Sequence, residues 1–464
     1  MENATVEQIA MFADPLEQNS YMQEEVLGTV PDTPMLLQFK KWNLQKPQHF
    51  NQAVMLKLAA GEKIIDKALH AILKQHDMLR AVWRNGQLKI MPYDERVEFS
   101  VHDFTGHDEP QTAVLQEAER LQASFDLENG PLMKSALFKT PMGDRLMICI
   151  HHLVVDGISW QILTDDLFLA IEQQTNGKEI DLPAKTASYI QWAALLQEYR
   201  SSGKLDAERS YWQRIASQLS ENTLQLQRRP EKTVAHAQVS FTQEETEKLL
   251  LDAGRAYHTQ INDLLLSALA MTVNELTGQE KIAVCLEGHG REDLHQKLAI
   301  DRTIGWFTSA YPVILDCSQN TETVIVETKE MLRKLPNHGI GYGLLYPPIC
   351  DTPIDLYFNY LGESEQADDF SYGTCVAKEN RFAGEINFDG SIINGVLSFE
   401  VSCNQATFDE AVARSFAECY REKLTQIIHF CTESEDERKT LADVDADDLD
   451  EADFDEINAI LGLF

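Results

Sequence analysis

Residues Leu146–Trp160 read LMICIHHLVVDGISW, and the order of events in this stretch decides the architecture. Leu146–Ile150 is an apolar run of the kind that forms a buried strand. It stops at two adjacent histidines, His151 and His152, and Asp156-Gly157 then supplies a turn. Beyond Gly157, Ile162, Leu163, Leu167, Phe168 and Ile171 recur at helical spacing. A strand that delivers a loop to the start of a helix belongs in a protein of mixed α and β elements. At such a loop one imidazole is placed where a substrate reaches it, while the other ring is held by the backbone or packed inside.

The same alternation continues outward. Gln52–Ala59 (QAVMLKLA) reads as a strand. Lys63–Gln75 gathers Ile64, Ile65, Leu69, Ile72 and Leu73 on one side of a helix. His76–Pro92 (HDMLRAVWRNGQLKIMP) holds two strands around Asn85-Gly86, a strong hairpin signal. Tyr189–Arg200 and Glu208–Leu219 are helical in pattern. Gln225–Ala235 turns polar and carries a proline, so a boundary between two lobes is expected there. The second half repeats the theme, with helices at Glu244–Ala256, Asn262–Leu276 and Phe408–His429. Its strands are KIAVCLEG (281–288), YPVIL (311–315), DLYFNY (355–360) and GVLSFEVSC (395–403). The chain therefore divides into a connector at 1–24, lobes at 25–225 and 226–435, and an acidic tail at 436–464.

A length of 464 residues suits two large lobes better than one domain. Forty Lys and Arg against 74 Asp and Glu leave a formal charge of −34, which argues against nucleic acid or an anionic membrane as partner. The sequence has neither a signal-peptide pattern nor an apolar run long enough to span a bilayer, so a cytoplasmic location is expected. Eight scattered cysteines without a CxxC pair fit a reducing compartment and no zinc site. Nothing resembles a metal-ligand cluster or a glycine-rich phosphate loop. From Glu433 to Glu456 acids dominate, and Leu449, Phe454, Ile457, Ile460 and Leu461 fall on one face of a short helix. Such a run is either a solvated tail or a docking element.

Histidine suits proton transfer because its ordinary pKa lies near neutrality, and Asp156 is placed to pair with an arginine and hold the loop. HHLVVDGISW resembles the HHxxxDG signature of the condensation-domain superfamily of nonribosomal peptide synthetases, which is related in fold to chloramphenicol acetyltransferase. Further stretches resemble, in order, the motifs of that superfamily's epimerization domains. They are DLLLSAL (263–269), EGHGRE (287–292), RTIGWFTSAY (302–311), PNHGIGYG (336–343) and FNYLG (358–362). The resemblance runs from about Thr33 to His429. One departure is PMLLQF (34–39), where the family more often has a PIQ-type run ending in Trp-Phe; this segment is expected to lie far from the chemistry.

The resemblance implies an α/β (α+β) fold of two chloramphenicol acetyltransferase-like lobes, a V-shaped pseudo-dimer with a tunnel between them. It implies epimerization at Cα of an L-aminoacyl or peptidyl thioester carried on the 4′-phosphopantetheine of a carrier protein, giving an L/D mixture. The chain itself then binds no cofactor. Glu287 is expected to accept the proton from one face, with His152 stabilising the enolate or acting at the other and Tyr360 as an acid. His151, Asp156, Gly157, Asp166, Arg291 and Asn359 are supporting residues, and Trp306 and Phe307 packing groups. The alternatives are a condensation domain, which needs neither Glu287 nor FNYLG, and a silent member that only docks carriers. The opening TVEQIAMFA (5–13) resembles the last helix of a carrier domain, implying an upstream peptidyl carrier. The acidic C-terminal helix resembles a docking segment for a downstream synthetase.

Overall fold

The run Arg145–His151 is buried at every position, as an uninterrupted apolar strand requires, and the first sheet is built around it. The computed structural model describes residues 21, 23–229, 235–294, 298–364, 370–380, 384–404, 406–434 and 437–443. The first half contains β1 (Gly28–Thr29), β2 (Asn51–Lys57), β3 (Ala81–Arg84), β4 (Gln87–Ile90), β5 (Glu98–Asp103), β6 (Met133–Lys139) and β7 (Arg145–His151). One sheet has the order β2-β7-β6-β5 and a small one the order β1-β4-β3. In the first, β2 and β7 are antiparallel with Asn51 opposite His151. Between β3 and β4, Asn85 and Gly86 both take positive φ, the geometry that their side chains best tolerate in a two-residue hairpin. Helix Gly157–Thr175 follows the histidine loop and buries Ile162, Leu163, Leu167 and Ile171. Phe168, expected on the same face, is instead 45% exposed. It stands next to Leu167 in a helix whose core-facing stripe is already filled.

The second half contains β8 (Ala235–Ser240), β9 (Lys281–Gly288), β10 (Ser309–Asp316), β11 (Leu356–Ser364), β12 (Ile386–Ile393) and β13 (Val396–Cys403). They form one sheet in the order β10-β9-β11-β12-β13-β8, with β11 parallel to both β9 and β12. Helices Ile261–Thr277 and Glu410–Thr432 pack together over it; the former is buried continuously from Asp263 to Val273. The helix expected over Glu244–Ala256 ends at Leu251 and continues as a short 3-10 turn, where Gly254 weakens helical order.

The halves interlock. Just before the expected boundary, Asn222 O accepts the Ala283 N–H and Leu224 N–H donates to Asp355, so residues 222–225 already belong with the second sheet. In return, Cys375–Ala377 runs along the open edge of β2: Asn51 N–H donates to Cys375 O and Ala377 N–H to His49 O. This covers an edge that would otherwise expose unpaired backbone groups. Residues 437–443, read from sequence as part of the acidic tail, pack on the second half. Arg438 N–H donates to Ala256 O, and Asp443 pairs with Lys329, a lysine only 1% exposed. The carrier-like segment at 5–13 and the acidic helix beyond residue 443 lie outside the described residues. No helix among the described residues is long and apolar enough to cross a membrane.

Candidate active site

The end of β7 hands over two histidines with opposite fates. His151 is fully buried among Phe39, Phe50 and Phe125. Its Nδ1 accepts the Leu153 N–H at 3.2 Å and its Nε2–H donates to Pro47 O at 2.8 Å. Burial drives its pKa down to about 3, so the ring is a neutral strut. His152 is half-buried, between the rings of Phe50 (4.9 Å) and Trp306 (4.6 Å). Its Nδ1 lies 2.9 Å from Val155 O and its Nε2 3.1 Å from the Gln52 amide nitrogen. Gln52 in turn accepts the Trp160 indole N–H at 2.7 Å. Burial lowers the His152 pKa, with Asp156 opposing in part, so the ring is neutral and basic at pH 7. The PMLLQF segment is not remote from this loop. It opens helix Pro34–Trp42, whose Phe39 packs edge-on to His151 and whose Trp42 meets Phe50 and Trp306.

Asp156 caps helix Gly157–Thr175 by accepting the Ser159 N–H at 2.8 Å, and it also accepts the Phe307 N–H at 2.9 Å. Arg291 reaches it from the second half at 3.4 Å. The same guanidinium donates to Ile300 O, Thr303 O and Ser159 Oγ and lies 3.8 Å over the Phe307 ring. Arg291 thus holds Asp156 and Ser159 of the first half and residues 300–307 of the second, which makes it a clamp between the halves. Asp166 sits nine residues beyond Gly157, about 14 Å along the helix. It binds His76 at 2.9 Å and Arg302, outside the histidine loop. A Cβ on Gly157 would meet no protein atom within 4 Å, so the fold itself leaves that space open.

Glu287 stands at the end of β9, opposite Ala310 of β10. The parallel register of β9 and β11 brings Asn359 beside it, and the Asn359 amide donates to its carboxylate at 3.3 Å. Asp389 of β12 is the register partner of Asn359 on the far side. Glu287 is open to water yet enclosed by protein mass. That enclosure, and secondly the charge of Asp389, raise its pKa to about 7, while the water it touches tempers the effect. Asp389 itself is raised to about 6 by burial and by Glu400. Glu287 and Tyr360 line one cavity of about 270 Å³ with Tyr311, Asp263, Arg333 and His338. Burial raises the Tyr360 phenol to about 12, which keeps it a hydrogen-bond donor.

His152 is not among the residues lining that cavity. Two arms connect the two places. Glu287 leads in four residues to Arg291, which touches the histidine loop, and Trp306, against His152, leads in four residues to Ala310. Each arm spans at most about 14 Å. Gly290 sits within the first at positive φ, so close to Phe307 that a Cβ would lie 1.8 Å from its carbonyl oxygen. The structure thus groups Glu287, Asn359 and Tyr360, and separately His152, Asp156, Gly157 and Arg291. Gln52, Trp160 and Asp389 were not singled out from sequence. The signals available were a polar residue opening an apolar strand, the tryptophan closing HHLVVDGISW, and an acid inside INFDGSII.

The condensation-domain family model matches residues 28–449. Surfactin synthase subunit 2 of Bacillus subtilis (strain 168) is 36% identical over 97% of the chain, which spans 13% of that protein's length. The epimerization domain from the third module of tyrocidine synthetase B is 34% identical, with a TM-score of 0.82, covering 89% of this chain and all of that one. The condensation domain of the Monacolin K polyketide synthase MokA shares the fold at 18% identity, with a TM-score of 0.69 over 87% of this chain and 98% of that one. The mixed helix-and-sheet architecture is the chloramphenicol acetyltransferase-like one expected from sequence. With its signature loop, its fold and this match over residues 28–449 together, the chain belongs to the condensation-domain family.

Proposed function

We propose that this domain epimerizes the α-carbon of an aminoacyl or peptidyl thioester held on the phosphopantetheine arm of a carrier protein, within a nonribosomal peptide synthetase. The observation that carries the reading is the placement of Glu287, a carboxyl tethered by Asn359 and lining a cavity beside Tyr360, where enclosure and the charge of Asp389 raise its pKa. Amide-bond formation has no use for such a group, whereas inverting a stereocentre needs a second proton carrier besides His152. The 34% identity to an epimerization domain along that domain's whole length supports the same reading.

The chemistry follows from the ionisation of the two groups. An ordinary glutamate and an ordinary histidine differ by about 2 pKa units. Here burial lowers His152 and raises Glu287, so the two shifts run toward one another. Groups shifted in that way can exchange roles, so one removes the α-proton while the other returns a proton from the opposite face. The reaction then runs in both directions and ends as an L/D mixture. Tyr360 supplies an O–H for the enolate oxygen that forms in between. His151, Asp156 and Arg291 hold the loop and touch no substrate. The carrier brings the only prosthetic arm that the scheme uses.

The test loads an L-aminoacyl carrier, adds the domain in D2O and follows deuterium at Cα. Exchange is expected, with near-complete loss in Glu287→Gln and His152→Ala. Amide formation with a second carrier and no α-exchange would establish the condensation reading instead.

A further inference from the structure

We infer that Gln52 is a positioning residue that holds His152 neutral, donating to a lone pair on Nε2 while Nδ1 carries the hydrogen; the inference rests on His152 being the reactive ring. Its ground is a chain of three hydrogen bonds whose two ends allow one direction only. An indole N–H donates and never accepts, so the Gln52 atom 2.7 Å from Trp160 Nε1 is the amide oxygen. The NH2 group therefore faces His152 Nε2 at 3.1 Å. At the far end a backbone carbonyl accepts and never donates, so Nδ1, 2.9 Å from Val155 O, carries hydrogen. In a neutral imidazole the other nitrogen is then a lone pair, which is what the amide N–H requires. Trp160 donates to Gln52, Gln52 to His152, and His152 to Val155. Flipping the amide would set two donors against each other at the indole.

Strand β2 delivers this arrangement through its period of two. Phe50 and Gln52 project from the same face, one stacked on the imidazole and the other at its Nε2. The Phe50 carbonyl also accepts the His152 backbone N–H at 2.9 Å. When Nε2 takes up a proton it becomes a donor facing the NH2 of Gln52, so the amide opposes the charged ring. Around the ring, Asp156 on the adjoining helix favours the charged form, and His151 is neutral. Phe50 and Trp306 cover the ring faces, and Thr374–Ala377, running beside Phe50, carries no charge. Gln52 thus keeps His152 a neutral base with its lone pair on Nε2.

The test is nitrogen NMR of the full chain with 15N-labelled histidine, His152 being assigned by its loss in His152→Gln. The expected wild-type signal is the Nδ1–H tautomer from pH 7 to 8. In Gln52→Glu a carboxylate accepts from both Trp160 and a protonated Nε2, so the titration of His152 moves up by about 1 to 3 pH units. In Gln52→Met the amide no longer opposes a proton on Nε2, so the titration of His152 moves up by less than in Gln52→Glu, while Val155 O keeps hydrogen on Nδ1. Circular dichroism checks that each variant folds, and the wild-type and Gln52→Met titrations decide the matter should Gln52→Glu fail to fold. An Nε2–H tautomer in the wild type, or one titration shared by all three proteins, overturns the inference. The NMR results as expected, with no α-proton exchange in the wild type, would overturn the proposed function and leave the role of Gln52 standing.

Discussion

Replacing Arg291 by methionine removes the guanidinium while keeping an apolar stem of similar length against Phe307. The polar contacts of the guanidinium are then lost, including that to Ser159 Oγ. Asp156, 5% exposed, loses its counter-ion, and the carbonyls of Ile300 and Thr303 lose their shared donor. Breaking a buried ion pair by removing one partner costs about 3–5 kcal/mol. Here the separation is 3.4 Å, and Asp156 keeps the N–H groups of Ser159 and Phe307, so the lower end, about 3 kcal/mol, applies. With an unfolding entropy of about 2.1 cal/mol/K per residue, a chain this long melts about 3 °C lower. Asp156→Asn should cost less, since one oxygen still accepts. The two changes share one interaction, so the double variant should fall short of their sum by about 1–2 kcal/mol. Calorimetric melting of the four proteins measures that coupling. Hydrogen exchange should show residues 152–160 and 300–307 losing protection together, because one clamp holds both. Additive melting shifts, or loosening confined to one segment, would refute the view that Arg291 ties the loops.

Other consequences are open to measurement. The relay needs one of the two groups protonated and the other free, so epimerization should rise with pH as the first proton leaves and fall through about 7 as the second does. Asp389→Asn removes a neighbouring negative charge, lowers the Glu287 pKa and should move that fall to lower pH; an unmoved midpoint would dismiss Asp389 as a tuning group. Gly290→Ala forces a Cβ to 1.8 Å from the Phe307 carbonyl oxygen, a backbone atom that cannot step aside. Its product should melt several degrees lower and lose exchange, and wild-type behaviour would contradict the close approach drawn here. Truncation after Asp443 keeps the Lys329 pair and serves as the reference. Truncation after Ala442 strands the buried ammonium of Lys329, at a cost of about 3 kcal/mol, and equal melting of the two would deny that this pair anchors the chain.

What was legible in the sequence was local. The strand before His151, the helix after Gly157 and the Asn85-Gly86 hairpin each declare themselves within about fifteen residues, through periodicity and turn chemistry. Glu287 and Asn359 are likewise readable as residues near the ends of the strands KIAVCLEG and DLYFNY. What could not be read depends on long-range register. Nothing near Cys375 announces that it will line the edge of β2, some 320 residues earlier in the chain. Phe39, in a segment expected to lie far from the chemistry, is more than a hundred residues from His151 in sequence, yet the rings are 5.9 Å apart. Gln52 gains its meaning only when β2 pairs with β7 and Trp160 returns on the following helix. Residues 437–443 read as tail because they are polar, whereas what holds them is an unusually buried lysine on a distant helix.

The central claim is that Glu287 and His152 form a reversible two-sided proton relay. Its most direct test starts from both ends, with separate carriers loaded with the L and the D form of one amino acid, each incubated with the domain and hydrolysed for chiral analysis. The account predicts that both converge on the same L/D ratio and that neither moves with Glu287→Gln. Retention of configuration from both starting points by the wild-type domain would contradict it.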